Sequence, residues 1–190
     1  CGIRGKAHAR ELARLPDCDI AYVCDPDLDR ADEVAALLTG ELKRPMPKKV
    51  QDLRVIYDDK SVDAVFIATP NHWHSLGGIW AMQAGKDAYI EKPISHDIPE
   101  GAALVAAAKK YGRICQVGTQ CRSNPAIQNA MKFLADGGIG EVRLARGLCY
   151  KRRKSIGSLG DYPIPAGVDF DLWSGPAPYT SPKLTRPRFH

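Results

Sequence analysis

Two apolar runs end in the same way, and that repetition constrains the fold more than any other feature of the chain. Asp87-Ala88-Tyr89-Ile90 stops on Glu91-Lys92-Pro93, and Ala64-Val65-Phe66-Ile67-Ala68 stops on Thr69-Pro70-Asn71-His72-Trp73-His74. Both runs are of strand length and helix-period sequence separates them, the pattern of βαβ units and so of a parallel sheet. In open parallel sheets ligands bind outside the carboxyl ends of the strands, so two neighbouring strands with polar, ionisable tips mark a candidate crevice. Lys92 can hydrogen-bond or polarise a hydroxyl there, aimed by the fixed backbone of Pro93. The alternative is an ordinary solvent-facing lysine before a turn proline.

The first residues add a second constraint. Cys1-Gly2-Ile3-Arg4-Gly5, followed by the helical run Lys6 to Leu15, reads as the end of a G-x-G-x-x-G turn whose first glycine belongs just before Cys1. A strand belongs before that turn, so the chain is expected to begin inside the fingerprint. Gly2 lets the backbone approach a pyrophosphate, Gly5 lets the helix pack close to the sheet, and the helix N-terminus offers N–H groups to phosphates. The run Asp19-Ile20-Ala21-Tyr22-Val23-Cys24 ends on Asp25, twenty residues after Gly5. At that spacing a carboxylate accepts from the adenosine ribose hydroxyls; otherwise Asp25 caps a turn before Pro26. An acid here repels a ribose phosphate, which favours NAD over NADP, while Arg30 keeps NADP open.

Composition narrows the alternatives. A chain of 190 residues with 44% hydrophobic residues can bury a substantial core, enough for one domain and part of another. The net charge of +5 owes much to Lys151-Arg152-Arg153-Lys154, read as a solvated basic loop because no nucleic-acid motif accompanies it. The six cysteines show no C-x-x-C spacing, and several fall in apolar runs, so they read as buried thiols of a reducing compartment. The cytoplasm is expected, with a removed export signal left open, and no run approaches membrane-spanning length.

Along the chain we expect helices over 6–15, 28–38 with Asp27 near its cap, 75–84 closed by Gly85, 99–111 stopped by Gly112, and 125–134. Strands are expected over 20–24, 63–68, 87–90 and 114–117, the last ending on Gly118-Thr119-Gln120. Residues 39–51 read as a polar excursion, and 52–56 as a short segment bearing a possible strand. From Glu141 the texture changes, and Val142 to Tyr150 alternates like a half-buried strand of a different sheet. The domain boundary is therefore placed near Gly140, with residues 1–139 and 140–190 on its two sides. Pro163 through Pro187 reads as an extended arm with no core of its own.

These motifs coincide in order: Gly2-Ile3-Arg4-Gly5, Cys24-Asp25-Pro26, Thr69 to His74, Glu91-Lys92-Pro93, and Gly140-Glu141-Val142. Together they resemble the Gfo/Idh/MocA family of nicotinamide-dependent oxidoreductases over essentially the whole chain. Asp169-Phe170-Asp171-Leu172-Trp173-Ser174-Gly175-Pro176 further resembles a branch sharing motifs with NAD-dependent glycosidases. The resemblance implies a Rossmann, doubly wound parallel α/β domain, then an α/β domain with an open antiparallel sheet that commonly mediates oligomerisation. It implies Ile3 and Arg4 against the pyrophosphate and Asp25 on the ribose. It further implies Thr69, Pro70, Asn71, His72, Trp73 and His74 flanking the cofactor, Glu91 and Lys92 near the nicotinamide ribose and substrate, and Gln120 beside the nicotinamide. Lys92 is the one catalytic residue the resemblance places here; the family's downstream Asp and His would follow His190.

His72 and His74 do not share a face and have no third ligand, so no metal site is expected. His8 and His96 read as surface or capping residues. The leading expectation is hydride transfer between a sugar or polyol and NAD. The alternatives are a glycosidase with transient redox and a non-catalytic dinucleotide sensor. Neither nucleic acid nor membrane is an expected partner; a homo-oligomer of the full-length protein is.

Overall fold

A computed structural model describes residues 1–150, 152, 160 and 163–178. The expected alternation is present. In chain order it runs α1 (Ile3–Leu12), β1 (Tyr22–Cys24), α2 (Leu28–Ala36), β2 (Lys48–Val50), α3 (Arg54–Asp58), β3 (Ala64–Ile67), α4 (His74–Gln83), β4 (Asp87–Glu91), α5 (Ile98–Tyr111), β5 (Cys115–Gly118), α6 (Pro125–Ala135) and α7 (Phe170–Ser174). All strand pairings are parallel, and they form two sheets, β1–β2 and β3–β4–β5.

Local chemistry sets the helix ends. Asp27 accepts from the Asp29 amide at the start of α2 and Asp97 from the Glu100 amide at the start of α5; Asn124 accepts from the Ala126 amide ahead of α6, whose first residue is Pro125. Gly112 closes α5 in the left-handed region at φ 59°.

Apolar faces of these helices cover the sheets in two clusters. Ala9, Val23, Ala31, Val34 and Leu38 fill the space around β1, and Ile67, Met82, Ala88, Ile90 and Leu104 fill the one around β4. At the amino end of β4, Lys86 is wholly buried, and its Nζ donates to the carbonyls of Asp59 (2.5 Å) and Val62 (3.0 Å). Every hydrogen-bonding demand of a buried ammonium has to be met inside the protein, and these carbonyls meet part of it.

Parallel register does the positioning. Ile67 pairs with Ile90 and Ile90 with Val117, so the strands β3, β4 and β5 run out together and the segments after them share one edge. Cys24 pairs with Val50 in the same way, which sets Asp25 beside Gln51.

Several expectations are corrected. The polar excursion contains β2, a strand hidden because Lys48 and Lys49 are exposed and carry no apolar signal. Residues 54–58 are a helix that buries Ile56 and Tyr57, where a strand was possible. Helix α1 begins at Ile3, three residues before the expected start, and ends at Leu12. Residues 142–150 form no strand: a strand needs a ladder partner, none lies alongside among the described residues, and the side chains are exposed. Part of the expected arm is ordered, since α7 docks on the segment after β3 through the carbonyls of Leu172 and Trp173. Residues 179–190 and most of the basic cluster lie outside the described residues. The cysteines are free, but none is fully buried, and Cys121 and Cys149 are exposed.

Leu104 projects from α5 into the cluster around β4 at 1% exposure. Leu104→Ala should leave a cavity that the sheet cannot close, costing about 2–5 kcal/mol. Chemical denaturation should show a lower midpoint with an unchanged slope.

Candidate functional site

The carboxyl edge gathers groups from distant parts of the chain. Glu91, the last residue of β4, is 3% exposed, and its Oε1 accepts from Arg4 Nη2 at 2.6 Å and Nε at 3.1 Å. His8 Nε2 lies 2.9 Å from the same oxygen, while the Lys92 amide donates to Oε2 at 3.3 Å. Burial, the largest single influence, pushes the Glu91 carboxyl up. The Arg4 hydrogen bond and charge, with the Lys92 amide and His8, outweigh it and hold the group below the ordinary carboxylate value. Glu91 is therefore an anion that anchors a cation-bearing helix.

Arg4 and His8 are four residues apart on α1 and so share a face. The His8 ring also meets Tyr89 edge-on at 5.2 Å and Phe66 at 5.8 Å, and these two stack on each other across β3 and β4 at 5.0 Å. His8, read from the sequence as surface or capping, is thus part of the site's support; the four-residue spacing from Arg4 was the available signal. Gln120, with its amide oriented to suit both neighbours, accepts from Arg4 Nη2 at 2.8 Å and donates to the Gly118 carbonyl at 2.9 Å. A Cβ at Gly118 would lie 3.1 Å from Glu91 Cα and from the Tyr89 hydroxyl, so a larger residue there would push these groups apart by a few tenths of an ångström.

The glycine turn lies beside this cluster. Helix α1 follows Gly2 with no side-chain cap and no acid in its first turn, which leaves its leading N–H groups unclaimed by side chains. A Cβ on Gly2 or Gly5 would meet no protein atom within 4 Å, so the space before the turn is open. Ile3 is 90% exposed at the same corner. Asp25 stands at the turn's other side: its Oδ2 lies 2.6 Å from the Cys1 amino group, and its Oδ1 accepts from the Asp27 amide at 2.9 Å. Arg30 lies 3.9 Å from Asp27 and 3.8 Å from Glu33. The Cys24 thiol behind Asp25 is pushed up by burial to about 12, so it remains a neutral thiol.

The tip after β3 divides into two kinds of residue. Asn71 is exposed where a 3-10 turn over Asn71–Trp73 begins, next to Pro70. Thr69, whose buried hydroxyl has no hydrogen-bond partner, lines a small cavity together with Pro70. His72, Trp73 and His74 instead face protein. His74 is 1% exposed, with Nδ1 2.5 Å from the Pro93 carbonyl and Nε2 2.9 Å from the Thr69 carbonyl. Carbonyls only accept, so the ring nitrogen that carries the proton donates to its carbonyl, and the imidazole spans the tip of β3 and the tip of β4. The rings of His72 and Trp73 reach the carbonyls of Trp173 and Leu172, each at 2.9 Å. Lys92, after the buried Glu91, is exposed on the edge. Its bond to Pro93 is cis.

The donor set fits a dinucleotide: an open glycine turn at a bare helix end, an acid after β1, and an unpaired buried hydroxyl after β3. Among the described residues, no group of three or more His, Cys, Asp or Glu could hold a metal ion, and no helix is long and apolar enough to cross a membrane.

Comparisons with known proteins agree with this geometry. Residues 1–119 match the family described as "Oxidoreductase family, NAD-binding Rossmann fold". The chain is 34% identical over 141 residues to scyllo-inositol 2-dehydrogenase (NAD(+)) of Bacillus subtilis, a match covering 74% of the chain and 40% of the relative. It is 32% identical over 178 residues to levoglucosan dehydrogenase of Pseudarthrobacter phenanthrenivorans, covering 84% of the chain and 46% of the relative. The crystal structure of myo-inositol 2-dehydrogenase from Lactobacillus plantarum superposes with a TM-score of 0.63 at 26% identity, covering 74% of this chain and 40% of that one. The chain spans less than half the length of these relatives. Motif, fold and similarity coincide, and the chain belongs to the Gfo/Idh/MocA family of oxidoreductases with an NAD-binding Rossmann fold.

Proposed function

We propose that the full-length protein transfers hydride between a carbon of a sugar or polyol and NAD. The observation that carries this reading is the gathering of Arg4, Glu91, Lys92 and Gln120 at the end of one strand, beside an open glycine turn. NAD, when bound, supplies the hydride acceptor. The protein's own residues bind, orient and manage a proton. Gly2, Ile3, Arg4 and the first amides of α1 face the pyrophosphate; Gly5, expected to let α1 pack close to the sheet, has no protein atom within 4 Å of where its Cβ would lie and stands in the same open space. Asp25 accepts from the adenosine ribose, and Thr69, Pro70 and Asn71 flank the cofactor. His72, Trp73 and His74 act at one remove, by holding the backbone around that edge. Glu91 orients Arg4 and the Lys92 amide near the nicotinamide ribose, and Gln120 lies beside the ring. Lys92 donates a hydrogen bond to the reacting hydroxyl oxygen, which lowers the cost of alkoxide character as the carbon loses hydride.

Residues 1–139 serve as the dinucleotide-binding domain, and residues from 140 onward open a second domain that selects substrate. The exposed apolar side chains of Met131, Phe133, Val142 and Leu144 support further packing of this kind, within the subunit or in a homo-oligomer. Free cysteines support a cytoplasmic protein. The reading is tested by incubating the full-length protein with NAD and a panel of polyols and sugars and following the absorbance of reduced nicotinamide. Reduction with at least one polyol or sugar is expected. NAD binding with no reduction would point to a sensor, and phenol release from an aryl glycoside without added cofactor would point to a glycosidase.

NAD should bind at least about tenfold more tightly than NADP. Two like charges about 4 Å apart repel by about 1 kcal/mol even in water, and by more at a partly buried site. Calorimetric titration of both dinucleotides measures the ratio; Asp25→Ala should narrow it, and equal binding by the unaltered protein would remove this role of Asp25.

Gly2→Val should preserve the fold, because a Cβ there has no protein atom within 4 Å, yet weaken NAD binding by filling the space of the pyrophosphate. Circular dichroism and NAD titration together check this. Unchanged affinity would count against the glycine turn.

Lys92→Ala in the full-length enzyme should lower turnover by about a hundredfold or more while changing NAD affinity little. Lys92→Arg should also fail, since a planar fork does not replace a compact ammonium aimed at one oxygen. Near-normal turnover on the true substrate would return Lys92 to the ordinary surface lysines.

A further inference from the structure

Residues 163–178 come back to the carboxyl edge from outside the alternating units and lie across it as a strap. Val168 forms a β-bridge with Asp27. The Asp169 amide donates to the Pro26 carbonyl at 2.9 Å, and Gln51 Nε2 donates to the carbonyls of Pro26 (2.9 Å) and Gly167 (3.0 Å). The strap's far end is held by the His72 and Trp73 rings, on the carbonyls of Trp173 and Leu172. Gly175 passes against the Trp73 indole at φ +51°, where a Cβ would overlap the ring, so only glycine completes the crossing. The segment therefore spans from the loop after β1, over the end of β2, to the tip after β3.

What lies beneath identifies its purpose. A cavity of about 30 Å³ separates the strap from the sheet edge; Pro26, Thr69 and Pro70 form its inner side, and Leu172 and Trp173 its outer side. Thr69, one of the lining residues, has a buried hydroxyl without a partner, a cost that a ligand atom would remove. Asp25, which the proposed function sets on the adenosine ribose, immediately precedes Pro26. The base carried by that ribose therefore belongs at this cavity, whose walls are largely apolar with Gln51 and Thr69 among them. The cavity holds roughly one water molecule and no purine, so the strap must move outward to admit a base and then close on it.

We propose that residues 167–175 are the outer wall of the adenine slot, with Leu172 and Trp173 covering the base, and that detachment of this strap governs cofactor release. The inference rests on the reading of the protein as NAD-binding and adds to it a wall contributed from beyond the Rossmann unit. A base covered in this way leaves only when the contacts to His72, Trp73 and Gln51 break, so the strap acts on the dissociation rate.

The test uses the full-length protein, two variants and three ligands. Gly175→Val dislodges the crossing at Trp73, and Leu172→Ala removes one covering side chain while leaving the anchoring carbonyls in place. In stopped-flow displacement, each variant should release NAD about tenfold faster than the unaltered protein. Calorimetry should show AMP binding weakened by a similar factor and nicotinamide mononucleotide binding unchanged. If Gly175→Val does not fold, Leu172→Ala carries the test alone. Unaltered NAD release and AMP affinity in the folded variants would overturn the proposal, as would equal weakening of AMP and nicotinamide mononucleotide, the signature of general loosening. Failure of the unaltered protein to bind either NAD or AMP would instead overturn the NAD-binding reading on which the proposal rests.

Discussion

A carboxylate buried at the end of a central strand has to be compensated, and Glu91 is compensated from outside its own sheet. An isolated buried charge costs several kcal/mol, so the fold is stable only with cations delivered to that point. Arg4 supplies the charge and His8 a second contact, both from one face of α1. The consequence is positional. Docking α1 on Glu91 brings the glycine turn to the strand tips, beside the residue that follows Glu91, which is Lys92. A single buried acid thus couples the end of the chain that would hold phosphates to the strand that would meet substrate.

The remaining order at this edge comes from parallel register and from groups that link the strand tips. Parallel pairing makes neighbouring strands end level, but it does not govern the loops beyond them. His74 does part of that work, with one ring nitrogen on the carbonyl after β3 and the other on the carbonyl of Pro93. Trp73 and His72 turn outward from the same short segment to hold residues 172 and 173. Three consecutive aromatic and imidazole side chains therefore build the surroundings of the site while leaving the open surface to Asn71, Lys92 and the glycine turn.

Two lysines bracket β4 and show how little residue type decides by itself. Lys86 at the amino end is sealed in, and its ammonium is occupied by the carbonyls of Asp59 and Val62. Lys92 at the carboxyl end is exposed, on the edge where the glycine turn also opens. The first holds a turn in place and the second is free to meet a ligand, and the difference lies wholly in which end of a parallel strand each occupies.

The sequence by itself determined the alternation of strands and helices, because apolar period and capping residues are local: Asp27 begins α2 and Gly112 stops α5 where side chain or backbone freedom requires. It also located the polar strand tips, since an abrupt change from apolar to ionisable residues is visible in a few positions. β2 escaped notice because an exposed Lys48-Lys49 pair pays its way through backbone pairing, which leaves no hydrophobic trace. The alternating residues 142–150 misled for the converse reason, as a periodic pattern does not supply a partner strand. Tertiary structure alone decided that His8 supports Glu91, 83 positions away, and that residues beyond 163 return to cover the edge near Asp27 and Trp73. Those contacts join segments whose separation along the chain carries no periodic or compositional mark, so only the folded geometry brings them together.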